Sequence, residues 1–184
     1  TMNRPEKKNA MNPTLHREMH EVIHRVKEDA LDPEGGSNVV VLTGAGDSFC
    51  AGQDLEEYFL ETSDSPNLMS EISDLAMEWG RELFHFPRAT IAAVNGYCFG
   101  GGMRLLCSCD LAVASEEATF GLSEVNFGIL PAGGSTRVPS RVLSRRDFLW
   151  ASLTGQEFGA EEADKWRLVN KAVPHDELMA EVAD

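Results

Sequence analysis

The stretch at residues 90–107 constrains the fold of this chain more than any other. An apolar, β-favouring run leads into three consecutive glycines at 100–102, and a second apolar run follows that can form a buried helix. Without side chains at the bend, backbone N–H groups can approach a ligand closely, and a helix that begins there directs the positive end of its dipole towards it. The bend either holds negative charge that develops on an oxygen or is a tight turn that serves packing alone.

Composition and charge limit the kinds of partner. With 184 residues, of which 42% are hydrophobic, the chain can bury one core, and we predict a single domain over residues 1–184. The 16 basic and 30 acidic residues give a net charge of −14. This charge argues against nucleic acid or an anionic membrane surface as a partner, because both require a basic face. No apolar run is long enough to cross a bilayer.

The cysteines indicate a reducing compartment such as the cytoplasm. Cys50, Cys98, Cys107 and Cys109 have apolar neighbours, so we predict reduced and mostly buried thiols. Cys107 and Cys109 are two residues apart, and on a helix their sulfur atoms would point to different faces. We therefore predict no metal site.

Apolar periodicity predicts an α/β chain. Asn12 is placed to cap a first helix, whose apolar residues recur at helical spacing. These residues are Leu15, Met19, Val22 and Val26. The β-branched run at residues 39–42 is typical of a strand covered on both faces, and a long amphipathic helix follows at 68–83. Further helices are predicted to begin at residues 132–136 and to span 145–153 and 159–166. Strands that alternate with helices in this way predict an α/β fold.

Two glycine-bearing loops, at residues 44–52 and 96–102, each follow an apolar strand and precede a candidate helix. Neighbouring strands of an α/β fold bring such loops together at their carboxyl ends, where ligands bind. One backbone N–H from each loop could then converge on a single oxyanion. Glu124 is the candidate acid or base, because it lies among apolar residues where desolvation raises the affinity of a carboxylate for protons. The alternative is a glutamate at the mouth of a loop with no catalytic task.

Several ordered motifs cover nearly the whole chain and are highly specific when taken together. They lie at residues 3–11, 42–55, 93–102, 109–114, 118–131, 159–163 and 168–170. In these motifs the sequence resembles the enoyl-CoA hydratase/isomerase (crotonase) superfamily. The resemblance implies an α/β superhelix of ββα units, here lacking the first strand and the C-terminal helices. It also implies a homotrimer or a dimer of trimers.

The resemblance further implies the ligand and the site. The substrate would be an acyl-CoA thioester, with coenzyme A present as part of the substrate and no permanently bound cofactor. The thioester oxygen would accept hydrogen bonds from the backbone N–H groups of Gln53 and Gly101, which stabilise an enolate, and Glu124 would be the acid/base. The implied substrate-binding residues are Lys8, Ala10, Ala51, Asp54, Leu55, Tyr58, Gly100 and Arg104.

Arg104 stands where hydratases of the superfamily typically carry the first of two catalytic glutamates, whereas Glu124 matches the second. Two subfamilies work with the later glutamate alone, the Δ3,Δ2-enoyl-CoA isomerases and the hydroxycinnamoyl-CoA hydratase-lyases. The chain resembles the second subfamily more closely, at residues 51–59 and 120–128. Tyr58 falls where that subfamily has a tyrosine that can contact a phenolic ring.

The chain departs from the hydratase-lyase pattern in two places. That subfamily has a serine where Arg104 stands, and the segment at residues 131–137 looks more like the general hydratase version, which stays an alternative. We expect Arg104 to pair with Glu124, which would hold that carboxylate ionised, or with a carboxylate such as Asp110.

Three other classes of function fit parts of the sequence. The glycines of the bend suggest a dinucleotide-binding domain, but their spacing is not G-x-G-x-x-G. A serine hydrolase of the usual α/β type lacks its G-x-S-x-G motif here. A catalytically inactive acyl-CoA-binding member of the superfamily is favoured by Arg104, whereas the intact set of Gln53, Gly101 and Glu124 argues for an enzyme.

Overall fold

A computed structural model describes residues 1–34, 36–60 and 65–184 of the chain. The strands are β1 (Val39–Leu42), β2 (Ser48–Cys50), β3 (Ala89–Val94), β4 (Tyr97–Phe99), β5 (Leu111–Ser115), β6 (Thr119–Gly121), β7 (Phe158–Gly159) and β8 (Lys171–Val173). The α-helices are α1 (Pro13–Ala30), α2 (Pro66–Phe84), α3 (Gly101–Leu106), α4 (Pro139–Val142), α5 (Arg145–Thr154), α6 (Ala160–Lys165) and α7 (Leu178–Ala183). A π-helical turn spans Leu55–Leu60, and 3₁₀ turns span Pro5–Lys7, Ser123–Phe127 and His175–Glu177.

The strands form two four-stranded sheets, and the first six strands alternate between them. The first sheet has the order β1-β3-β5-β8 and is entirely parallel. The second has the order β2-β4-β6-β7, in which β7 alone runs antiparallel. Each of the first three strand pairs places one strand in each sheet before the chain enters a helical segment. This is the ββα order that the sequence resemblance implies, and the predicted α/β class is confirmed.

The parallel pairing of β2, β4 and β6 brings three loops together. Cys98 of β4 pairs with Cys50 of β2 and with Phe120 of β6. Because the three strands run in the same direction, the segments that follow them emerge side by side at one edge of the sheet. The two glycine-bearing loops of the sequence therefore meet, as predicted.

One large cluster of buried side chains joins both sheets to α1 and α2, and Phe49, Trp79 and Phe120 are its largest fully buried members. All four cysteines are free thiols, and Cys109 alone among them is only half-buried. Burial raises the pKa of the Cys50 thiol to about 12, so this group is protonated at neutral pH. Among the helices of the described ranges, none combines the length and the apolar character needed to cross a membrane.

Helix α1 begins where the sequence predicts it, with the Asn12 side chain accepting a hydrogen bond from the N–H of Leu15. Its buried face includes Ile23, whereas Val22 is 38% exposed. The prediction that Val22 belongs to the apolar stripe is wrong. The buried residues of α1 are Leu15, His16, Met19, Ile23 and Ala30; at roughly 100° per residue, Ile23 lies near the middle of the face that they share and Val22 lies at its margin.

Strand β1 is not covered on both faces as its β-branched sequence predicts. It forms the edge of the first sheet, and Val39 is 47% exposed, although Leu42 at the other end is buried. An edge strand has a neighbour on one side only, so the start of β1 has little to pack against.

The helix predicted to begin at residues 132–136 begins later, at Pro139. Gly133 and Gly134 have φ angles of +57° and +95°, which belong to turns and not to a right-handed helix. The two later helices were predicted to within a residue, since α5 and α6 occupy Arg145–Thr154 and Ala160–Lys165.

Candidate active site

A cavity of about 670 Å³ opens at the edge of the second sheet where β2, β4 and β6 end. All the residues that the sequence assigns to the site line this cavity. They are Lys8, Ala10, Ala51, Gln53, Asp54, Leu55, Tyr58, Gly100, Gly101, Arg104 and Glu124. The structure thus gathers residues from four separate segments around one space of the size that small-molecule sites have, while the role of each residue stays a prediction.

The turns after β2 and β4 touch one another through their glycines. A Cβ atom placed on Gly52 would lie 3.0 Å from the carbonyl oxygen of Phe99 and 3.1 Å from the nitrogen of Gly101. A Cβ atom placed on Gly101 would lie 3.7 Å from the nitrogen of Gln53. Gly52 and Gly100 have φ angles of +96° and +49°, which side chains disfavour. Glycine is therefore required here for both conformation and space.

The hydrogen bonds of these turns leave two N–H groups unused. Met11 donates its N–H to the oxygen of Gly52 at 2.7 Å, and its own carbonyl oxygen accepts from the N–H of Asp54 at 2.9 Å. The N–H of Gln53, which lies between these two residues, takes no part in this pairing. In the other turn, the N–H of Gly100 donates to Gly121 at 2.9 Å. Among the hydrogen bonds of the described residues, none uses the N–H of Gln53 or Gly101 as its donor. Both residues line the cavity, where these donors are available to an oxygen.

Glu124 lies against the same turn. It belongs to the 3₁₀ turn Ser123–Phe127, and a Cβ atom on Gly100 would be 3.3 Å from its Oε1. Its Oε2 is buried without a hydrogen-bond partner in the described structure. Burial raises the pKa of the carboxyl group above its usual value, although a hydrogen bond from its own backbone N–H opposes the shift. A carboxyl group in this environment holds a proton more readily than one in water.

Arg104 does not form the ion pair that we expected. Its guanidinium is buried and donates from Nη2 to the carbonyl oxygen of Ala76 in α2 at 2.9 Å. Among the described residues no carboxylate oxygen lies within ion-pair distance, so pairing with Glu124 or Asp110 is wrong. The oxygen Oδ2 of Asp110 instead accepts hydrogen bonds from the backbone N–H and hydroxyl of Thr90.

The physical reason is a gap in α2. A Cβ atom on Gly80 would lie 1.8 Å from Nη2 of Arg104, and one on Gly134 would lie 3.0 Å from its Nε. These glycines open a channel that the long side chain fills, so Arg104 extends away from Glu124 and towards α2. Burial lowers the pKa of the guanidinium, against an opposing effect of Tyr58.

His16 is a site residue that sequence reasoning missed. It is fully buried in α1, accepts a hydrogen bond at Nδ1 from Nε1 of Trp79 at 3.2 Å, and lies 2.8 Å through Nε2 from Oε1 of Gln53. Since the indole N–H can only donate, Nε2 must carry the imidazole proton and donate to Gln53. Burial lowers the pKa of His16, which favours this neutral form. A histidine on the apolar face of a predicted helix was the available signal.

Arg4 is the second missed residue. It donates to the oxygen of Ala10 at 2.6 Å and to the carboxylates of Asp54 at 3.1 Å and Glu57 at 2.7 Å. Asp54 also accepts from the N–H groups of Glu56 and Glu57. Arg4 therefore ties the N-terminal loop to the segment after β2, and the Asp54 side chain is engaged in this contact.

The lining of the cavity includes both charged and apolar side chains. Nζ of Lys8 lies 4.2 Å from the centre of the Tyr97 ring. Apolar side chains line much of the remainder, with Met69, Met77, Ile129 and Leu130 among them. The lining also carries a polar spot where the hydroxyl oxygen of Tyr58 lies 3.1 Å from Oγ of Ser73.

The chain is similar to known proteins over nearly its whole length. A family model described as enoyl-CoA hydratase/isomerase matches residues 1–184. The chain is 45% identical to a hydroxycinnamoyl-CoA hydratase-lyase of Pseudomonas fluorescens over 94% of its own length and 62% of that protein. It is 37% identical to a mevalonyl-coenzyme A hydratase of Aspergillus fumigatus over 98% of its own length and 64% of that protein. The chain thus spans less than two thirds of the length of these two relatives.

The fold is shared with solved structures. An enoyl-CoA hydratase of Mycobacterium smegmatis superposes with a TM-score of 0.88 at 28% identity, over 98% of this chain and 67% of the other. The predicted crotonase-type superhelix is confirmed by this similarity.

Proposed function

The chain belongs to the enoyl-CoA hydratase/isomerase family, and from that premise we propose that it processes acyl-CoA thioesters through an enolate. The observation that carries the proposal is the pair of unused N–H groups at Gln53 and Gly101, on touching turns beside the half-buried carboxyl group of Glu124. Such prearranged donors stabilise the charge that develops on a thioester oxygen. Because the chain spans 62% of the hydratase-lyase it resembles, the activity of the whole protein is part of the proposal.

The reaction we assign is hydration followed by cleavage, with Glu124 as the only side-chain acid/base. Water adds to Cβ of the enoyl thioester and passes a proton to the Glu124 carboxylate, and the resulting carboxyl group then delivers a proton to Cα of the enolate, so that Glu124 is ionised again. In the second step the carboxylate removes the proton of the β-hydroxyl group, and the bond between Cα and Cβ breaks. An aldehyde leaves, and the enolate that remains takes the proton from Glu124 to give acetyl-CoA.

Two observations favour a hydroxycinnamoyl-type thioester as the substrate. Arg104 replaces the first glutamate of a two-glutamate hydratase and extends away from Glu124, which leaves one carboxyl group for chemistry. Tyr58 and Ser73 place hydroxyl groups among the apolar residues that line the cavity, where an aromatic ring with an oxygen substituent can pack. A Δ3,Δ2-enoyl-CoA isomerase is the second candidate, since one carboxyl group and an apolar wall suffice to move a proton along an acyl chain.

The coenzyme A portion is assigned to the part of the cavity lined by Lys8, Ala10 and Ala51. Ala10 and Ala51 offer main-chain groups there, and Lys8 offers a positive charge for a phosphate. We also propose the trimeric assembly and the cytoplasmic location that the family resemblance implies. Large apolar side chains that remain exposed on α5, Trp150 at 56% and Leu153 at 68%, support a contact with another subunit.

The substitution Glu124→Gln tests the proposal. It should lower kcat by about a thousandfold with feruloyl-CoA as the substrate, while the Kd for the thioester changes little. Crotonyl-CoA and a 3-enoyl-CoA, assayed in parallel, distinguish hydratase and isomerase activity from cleavage. Glu161→Gln, at an exposed glutamate of α6, is the matched control. Unchanged turnover in Glu124→Gln contradicts the assignment, and thioester binding without any turnover by the unmodified protein favours an inactive family member.

A further inference from the structure

Arg104 is a buried cation without a countercharge. Its residue is only 5% exposed, and its one hydrogen bond among the described residues runs to the neutral carbonyl oxygen of Ala76. A guanidinium has five N–H donors in a planar fork, so most of its capacity is unused. Burying a charge without a partner is costly, and a protein that tolerates this cost commonly uses the charge.

No carboxylate lies among the described groups that surround the guanidinium. Burial lowers the pKa of His16, and its Nδ1 accepts a hydrogen bond from Trp79, which favours the neutral imidazole. The hydroxyl groups of Tyr58 and Ser73 form the nearby polar spot. None of these groups supplies an acidic partner for an ion pair with Arg104.

A second cleft, of about 450 Å³, borders Arg104 on the outer side of α2. Its lining includes three further arginines, Arg81, Arg137 and Arg141, together with Asp74 and Glu78. Neither acid lies within ion-pair distance of Arg104. The compensating charge is therefore absent on that side as well, within the part of the chain that the structure describes.

A negatively charged group bound in the acyl cavity could neutralise the guanidinium of Arg104. Arg104 lines it and stands three residues after Gly101 on α3, so both residues face the same side of that helix. A group on the acyl chain can reach the guanidinium while the thioester oxygen occupies the N–H groups of Gln53 and Gly101.

We propose that Arg104 binds an anionic oxygen carried by the acyl group of the substrate, so that the site selects acidic acyl-CoA thioesters over neutral ones of the same shape. Two groups supply this chemistry, a carboxylate and an ionised phenol, and both form strong charge-assisted hydrogen bonds with a guanidinium. The inference rests on the proposed function, because it assumes that the cavity holds an acyl-CoA.

Binding of unreactive thioesters tests the inference without turnover. The full-length protein is titrated with glutaryl-CoA against valeryl-CoA, and with 3-(4-hydroxyphenyl)propionyl-CoA against 3-phenylpropionyl-CoA. At least one acidic thioester should bind about tenfold or more tightly than its neutral match. A glutaryl preference identifies a carboxylate, whereas a hydroxyphenyl preference with a phenolate absorption band identifies a phenol. Equal Kd values within each pair overturn the inference, and failure of all four to bind contradicts the proposed function instead.

Two variants assign the preference to Arg104. Arg104→Gln removes the charge and should abolish the difference within the pair. Gly80→Ala keeps the charge but places a methyl group where Nη2 lies, so it should displace the guanidinium and reduce the preference. Because alanine suits a helix better than glycine does, this variant keeps the test informative should Arg104→Gln not fold. A preference that persists in both variants contradicts the role of Arg104.

A separate cluster on the surface between α1 and α2 has the geometry of a metal site. Nε2 of His20 lies 3.3 Å from Nε2 of His24 and 3.3 Å from Oε2 of Glu78. Nε2 of His24 lies 3.5 Å from Oε2 of Glu82, an oxygen that is buried without a hydrogen-bond partner in the described structure. Ligand atoms bound tetrahedrally to zinc at 2.0–2.1 Å are roughly 3.3–3.4 Å apart.

From these spacings we infer that His20, His24 and Glu78 bind a divalent transition metal ion such as zinc. Two imidazoles with a carboxylate are a ligand set suited to zinc, copper or nickel and not to magnesium. Since two of these ligands come from α1 and one from α2, a bound ion would join the two helices. The ligand atoms of His20, His24 and Glu78 all lie within 4.8 Å of one another, so little rearrangement is required.

Titration of chelator-treated protein with ZnCl₂ alone, followed by calorimetry and thermal unfolding, tests this site. One equivalent should bind with a micromolar Kd and raise the Tm. His20→Ala and His24→Ala should each weaken binding about tenfold or more, whereas His85→Ala, at an exposed histidine beyond α2, should not. Absence of binding below millimolar zinc, or equal binding by all three variants, overturns the inference.

Discussion

The cavity has a thioester wall, made of the backbone of Gly52, Gln53, Gly100 and Gly101, and an acyl wall, made of the side chains of Tyr58, Ser73 and Arg104 with Ala76. In the thioester wall, positive φ angles and missing side chains expose two N–H donors. In the acyl wall, α2 and α3 present polar groups within an apolar surface.

The two walls control different properties of the site, the rate of the reaction in one case and the choice of substrate in the other. A backbone donor is fixed by local conformation, so any added Cβ atom disturbs it. A side-chain donor depends on which residue fills each position, so replacing it alters the substrate more than the reaction. Changes in the thioester wall should therefore lower kcat, and changes in the acyl wall should mainly alter the choice of substrate.

Among changes to the two walls, Gly52→Ala should lower kcat the most. The new methyl group would lie 3.0 Å from the oxygen of Phe99 and 3.1 Å from the nitrogen of Gly101, at a φ of +96°, so it would push the two turns apart. Loss of one oxyanion donor costs about a hundredfold to a thousandfold in kcat, which steady-state kinetics with feruloyl-CoA would measure.

Gly128→Ala is the matched control for Gly52→Ala. Gly128 also has a positive φ, +69°, but a methyl group there meets nothing within 4 Å. Its backbone strain is therefore similar, while kcat should stay close to that of the unmodified protein. Equal kcat values for the two variants would remove the distinction between the walls.

His16→Ala should have an intermediate effect, because His16 links α1 and α2 to the thioester wall through the side chain of Gln53. The variant loses the donor to Gln53 and leaves the indole N–H of Trp79 without its acceptor. We expect a loss of about 1–3 kcal/mol in the free energy of unfolding and a fall in kcat of between about tenfold and a hundredfold.

His16→Gln separates the two effects, since it keeps a hydrogen-bond donor within the helix. Denaturant unfolding and kcat are measured on both variants. Partial recovery of kcat in His16→Gln supports a positioning role, whereas equal kcat with unequal stability would limit His16 to the core.

Glu124→Gln should have the smallest effect on stability, and its sign depends on pH. Burial raises the folded-state pKa of this carboxyl group above its usual 4.5. The protonated form therefore favours the folded state, fully below about pH 4.5, and this contribution is lost as pH rises through the folded-state pKa. The unfolding free energy of the unmodified protein should fall relative to Glu124→Gln between pH 4 and pH 8 by less than about 1 kcal/mol. A relative rise would contradict a raised pKa.

The two turns of the thioester wall could be predicted from local sequence, because glycines that follow apolar strands indicate both the turn and the close approach. The family resemblance then implied Gln53, Gly101 and Glu124, and the structure places them around one cavity. In the acyl wall, the resemblance implied Tyr58 and Arg104, but the path of the Arg104 side chain could not be predicted. That path depends on Gly80, 24 positions earlier in α2, and on a turn at Gly134, contacts that no local pattern contains.

The exposure of individual side chains and the partners of buried polar residues were also not predictable from the sequence. Val39 belongs to a strand, as predicted, but its place at the sheet edge is a property of the whole topology. His16 reads as one more core residue until Trp79 and Gln53 are brought to its two nitrogen atoms.

Hydrogen exchange at Cα is a direct test of enolate formation at this site, because it requires the oxyanion donors and the acid/base Glu124 but no cleavage. The protein is mixed with 3-phenylpropionyl-CoA in deuterated water, and incorporation of deuterium at Cα is followed by mass spectrometry. We expect the unmodified protein to incorporate deuterium at Cα, and we expect this incorporation to be lost in both Glu124→Gln and Gly52→Ala. Binding of the thioester with no deuterium at Cα, or incorporation that survives Glu124→Gln, would contradict it.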